Sequence, residues 1–108
     1  MRLSESIQAT IIGVFQSVFS PGDVLYLFGS RVRDDLRGGD IDLLVRSSAN
    51  IEELVASRSR FAGILARQLE GRKVDIVLYR EGAEKRPIHI RAFEEGIRLC
   101  QIPFCKVS

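Results

Sequence analysis

The chain has 108 residues, 45% hydrophobic and 28% charged, with 16 basic and 14 acidic side chains and a net charge of +2. That is enough for one core and a single domain over 1–108; it excludes a disordered chain and gives no electrostatic case for nucleic acid. No apolar run approaches the ~20 residues of a membrane span, and Ser4, Glu5 and Gln8 interrupt any secretory layout.

Residues 4–19 predict a helix. Ile7, Ile11, Val14, Phe15 and Val18 recur at three- and four-residue spacing and form one apolar stripe, with Ser4 placed to cap it. Ser20-Pro21-Gly22-Asp23 stops the helix and turns the chain into a strand over 24–28, rich in side chains that suit a pleated surface. Gly29-Ser30 follows at once. Glycine lets the backbone approach a ligand, successive N–H groups in such a turn form a nest for phosphate oxygens, and the serine hydroxyl adds a donor. An ordinary turn has the same composition. The loop 31–39 sets Arg31, Arg33 and Arg37 against Asp34 and Asp35; it can neutralise a polyphosphate or simply be solvated.

A second strand begins with Asp40-Ile41-Asp42-Leu43-Leu44-Val45. Strand side chains alternate with a period of two, so Asp40 and Asp42 share one face while Ile41, Leu43 and Val45 enter the other. Two such charges near 4 Å repel by about 4 kcal/mol at a surface-like dielectric. A divalent cation removes that repulsion, and hard oxygen ligands suit Mg²⁺. An ordinary turn would account for Gly29-Ser30 alone and a solvated strand edge for the Asp-x-Asp alone; together they make a phosphate cradle beside a carboxylate pair, the minimum apparatus for a nucleoside triphosphate.

The strand ends at 47–50 and a helix is predicted over 51–69, with Asn50 and Glu53 as a capping box and Leu54, Val55, Phe61, Ile64, Leu65 and Leu69 as its buried stripe. Its arginines, Arg58, Arg60 and Arg67, lack the aromatic interleaving of a nucleic-acid face and are expected in solvent. Glu70-Gly71 supplies the stop. The third strand, 72–80, holds Asp75 within an apolar run. A carboxylate in a central strand is costly unless it is paired or binds metal, and Arg72 or Lys73 could pair it at a strand edge. After a polar loop, Pro87 starts a last helix to Glu95, closed by Gly96, and 97–100 can form a short strand. His89 is expected to be structural. Cys100 and Cys105, with that single histidine, make no zinc pattern, and reduced thiols in a cytoplasmic protein are expected. The tail residues Ile102, Phe104 and Val107 can cover the core or meet a partner.

Gly29-Ser30, nine intervening residues and Asp40-Ile41-Asp42-Leu43 resemble the signature of the DNA polymerase beta-like nucleotidyltransferases. More narrowly, Gly29-Ser30-Arg31-Val32-Arg33 followed by Gly39-Asp40-Ile41-Asp42-Leu43-Leu44-Val45 is similar to the minimal nucleotidyltransferases of bacteria and archaea, whose tail the stretch 87–99 also resembles. The resemblance implies an α/β palm core: a small mixed sheet of three main strands, helices mainly on one face, and the aspartates in an open cleft on the other. It further implies transfer of a nucleoside monophosphate, AMP from ATP, to an acceptor hydroxyl with two Mg²⁺ ions. In that scheme Asp40 and Asp42 hold both ions, and Asp75 holds the ion that activates the hydroxyl and can take its proton. Gly29, Ser30 and Arg33 would bind the phosphates. The chain departs from the family pattern at Val32, Asp34 and Gly39; Asp34 puts a negative charge near a polyphosphate and would weaken nucleotide binding if turned inward. The implied partner is a helical HEPN-domain toxin, to which this protein would be the antitoxin, by modifying the toxin or by binding alone. A homo-oligomer is compatible with the sequence; membrane and direct nucleic-acid partners are not expected.

Overall fold

The computed structural model describes residues 4–29, 41–69 and 72–103. Ser30, the loop 31–39 with Arg33 and Asp34, Asp40, the Glu70-Gly71 stop and the tail residues Phe104, Cys105 and Val107 lie outside the described residues. The elements run α1 (Glu5–Val18), β1 (Val24–Phe28), β2 (Ile41–Ser47), α2 (Ile51–Gln68), β3 (Val74–Arg80), α3 (Pro87–Glu95) and β4 (Ile97–Gln101).

Local chemistry sets most of these boundaries. The Ser4 hydroxyl accepts from the Ile7 N–H at 3.2 Å, and the Asn50 side chain accepts from the Glu53 N–H at 2.8 Å; each satisfies an otherwise orphaned donor of a first helical turn. Pro87 opens α3, where a missing N–H costs nothing. Gly96 closes it for a different reason: a Cβ there would run into the Ala92 carbonyl and stand 2.9 Å from the Leu27 carbonyl of β1. The chain can pass that close to the sheet only without a side chain.

The sheet order is β3-β2-β1-β4, with β2 and β3 parallel and β1 antiparallel to both its neighbours. A parallel pair needs a crossover, which α2 supplies. The fourth strand is as long as β1, so the three-strand expectation extends to a mixed sheet of four among the described residues. Alternation then sorts the side chains. Leu25, Leu27, Ile41, Leu43 and Val45 face α1 and α2 and join Ile11, Phe15, Leu54, Phe61 and Leu65 in the main core. The rings of Phe15, Phe19 and Phe61 meet there at 5.1 to 6.1 Å. Phe28, Leu44 and Tyr79 face the other way and pack under Ala92 and Phe93 of α3. Two helices therefore cover one face, as expected, and α3 crosses the other.

Val55 departs from the expected buried stripe: it is 43% exposed, because the core-facing line of α2 runs through Leu54, Phe61 and Leu65 and leaves Val55 beside β3 at the sheet's edge. His89 has a structural task. Its Nδ1 accepts from the Arg86 N–H at 3.0 Å, which leaves the proton on Nε2 to be donated to the Leu78 carbonyl at 3.1 Å. The ring thus ties the start of α3 to β3. Among the described residues no helix is long and apolar enough to cross a membrane.

Candidate functional site

Register places the carboxylates. β2 and β3 pair with Asp42 opposite Asp75, and in a parallel pair opposite residues point to the same side of the sheet. Both aspartates therefore project from the face crossed by α3, on strands roughly 4.8 Å apart. Asp42 is half-buried and Asp75 is exposed. β3 is an edge strand, so the cost expected for a carboxylate in a central strand does not arise. Among the described residues Asp75 forms no ion pair with Arg72 or Lys73. Its facing residue in the register is the second carboxylate, Asp42.

Gly29 is fitted to Asp42. It holds φ +82°, a left-handed conformation that L side chains rarely adopt, and a Cβ on it would collide with the Asp42 carboxylate and lie 3.2 Å from its Cβ. The glycine that ends β1 thus leaves the space that the Asp42 side chain occupies. Gly29, Asp42 and Asp75 line one cavity of about 440 Å³, together with Phe28, Val77, Ile88 and Arg91. Of the residues singled out in the sequence, these three come together; Ser30, Arg33 and Asp40, the remaining candidates, lie outside the described residues.

The donor set suits a hard divalent cation: two carboxylates side by side on one cavity, with oxygen as the ligand atom. Among the described residues no group of three metal-ligating side chains forms; the described share of such a site is this pair.

Two contributors escaped the sequence reading. Ile88 and Arg91 sit three apart on α3 and turn one helix face into the cavity. The spacing is visible in the sequence, but which face of α3 meets the aspartates depends on how the helix crosses the sheet. Arg91 also pairs with Glu95 one turn on, Nε to Oε1 at 3.3 Å.

A mixed sheet whose glycine-ended first strand and in-register carboxylates open onto one cavity is the layout of a nucleotidyl-transfer domain. The sequence matches the nucleotidyltransferase domain family over residues 9–100, and the chain belongs to that family. No curated relative matches it. Among solved structures it is similar to a chain of a complex between tri-AMPylated Shewanella oneidensis HEPN toxin and MNT antitoxin, with 22% identity over 92% of this chain and 73% of that one and a TM-score of 0.69. A mutant of the toxin–antitoxin MntA–HpeT is similar at 22% identity, over 87% of this chain and 72% of that one, with a TM-score of 0.69. A third structure, from Shewanella oneidensis, shares 17% identity over 92% of this chain and 73% of that one, with a TM-score of 0.67. At these identities the likeness is one of fold.

Proposed function

We propose that the protein is an antitoxin that transfers a nucleoside monophosphate, AMP from ATP, to a hydroxyl on a HEPN-domain toxin. The observation that carries the reading is the Asp42–Asp75 pair on the Gly29 cavity. The family match supports a triphosphate substrate, and the likeness to a chain from a complex with an AMPylated HEPN toxin supports both the group moved and its acceptor.

In this reaction the acceptor oxygen bonds to the α-phosphorus of ATP, the bond from that phosphorus to the bridging oxygen breaks, and pyrophosphate leaves with the electron pair. Asp42 and Asp75, with Asp40, would hold Mg²⁺, and when bound the metal supplies charge neutralisation for the attacking and leaving oxygens. Asp75 is exposed on the edge strand, where an incoming hydroxyl has access, and is the base proposed for its proton. Gly29 and Ser30 would offer backbone and hydroxyl donors to the phosphates, with Arg33 as a further cation. Much of the rate enhancement in such a site comes from holding the reactants in line and from prearranged charge.

The test uses ATP labelled at the α-phosphate, Mg²⁺ and a cognate HEPN-domain protein, beside the Asp42→Asn variant. Label on the partner that disappears with Asp42→Asn is the expected result. Neutralisation of the toxin without label, equal for both proteins, would replace the reading with an antitoxin that acts by binding alone.

A further inference from the structure

A nucleoside triphosphate brings several negative charges into a cavity that already holds two carboxylates. Arg91 is the cation that lines that cavity among the described residues. Among the described residues its ion pair is with Glu95, through Nε, and not with Asp42 or Asp75. That pair is well exposed, at 58% and 54% for the two side chains, and exposed pairs of this kind contribute little to stability. Helix stability therefore does not account for a guanidinium set into the wall of the aspartate cavity. A planar fork with one edge occupied still offers its terminal amino groups, whose spacing matches two non-bridging phosphate oxygens.

We infer that Arg91 grips the outer phosphates of the bound nucleotide and makes the site read phosphate number, with Glu95 holding the fork. This rests on the nucleotidyl-transfer reading and adds to it a specificity residue on α3, the helix that also roofs this face of the sheet. The exposed Glu95 contact on Nε holds the guanidinium in place and leaves its terminal amino groups for the phosphate oxygens.

The experiment is calorimetric titration of ATP, ADP and AMP, each with Mg²⁺, into the wild type, Arg91→Gln, Arg91→Lys and Glu95→Gln. Arg91 is exposed and outside the core, and melting curves of all four proteins confirm that they fold. The wild type is expected to bind ATP more tightly than AMP. Arg91→Gln should weaken ATP binding by roughly tenfold or more, the scale of a charged hydrogen bond, while AMP binding changes less than about twofold. Arg91→Lys should fall between, because it keeps the charge and loses the fork, and Glu95→Gln should bind ATP at least as tightly as the wild type. Unchanged ATP affinity in Arg91→Gln, or an equal loss for all three nucleotides, overturns the assignment and leaves the nucleotidyl-transfer reading standing. A wild type that binds none of the nucleotides overturns both.

Discussion

Gly29→Ala is the most direct probe of the site's construction. The new methyl group would meet the Asp42 carboxylate from a backbone position that L side chains rarely adopt. The expected outcome is a loss of about 1–3 kcal/mol of stability in urea titration, together with loss of transfer, since Asp42 must move. At this scale the sequence was informative where chemistry and spacing coincide: a glycine at the end of a strand and a carboxylate two residues into the next are both readable as letters. Asp75 was readable as a residue but not as an environment. A lone acid in RKVDIVLYR looks buried, because an apolar run is shared by central and edge strands alike, and only the sheet order distinguishes them. Arg91 was unreadable for a related reason, since a short helix has several polar faces and the crossing of the sheet selects one.

Among the elements, helix and strand limits followed from caps and stops and are visible in Ser4, Asn50, Pro87 and Gly96. What the pattern could not resolve was how wide the buried stripe of α2 is: Leu54 and Val55 are adjacent apolar residues, and only packing against α1 and the sheet puts one inside and the other at the rim. Phe61 anchors that packing. It is fully buried between Phe15 and Phe19, and Phe61→Ala is expected to cost about 3–5 kcal/mol, measured as a lower denaturation midpoint. The His89 link is a smaller contribution. His89→Ala removes an acceptor for the Arg86 N–H and a donor to the Leu78 carbonyl, and should lower stability by roughly 1–2 kcal/mol while leaving nucleotide affinity unchanged.

For the whole molecule, the two faces of the sheet divide the labour. The face under α1 and α2 carries the main apolar core, and the face under α3 carries the in-register carboxylates and the cavity they line. Asp75→Asn should therefore leave the melting temperature in chelator unchanged or slightly raised, since it removes a repulsion at an exposed position. The rise in melting temperature on adding Mg²⁺ and ATP to the wild type should be absent in the variant, because a ligand stabilises only the state that binds it. The order of the sheet has another consequence. β3 ends it, and the bonds from Lys73 and Glu81 toward β2 leave the alternate residues, Leu78 among them, aimed outward. Such a border invites a foreign strand to add itself, the route to uncontrolled aggregation. The imidazole of His89 occupies the Leu78 carbonyl midway along that border. The same ring that fastens a helix thus works as a gatekeeper, shortening the unguarded length of strand on which a neighbouring chain could template.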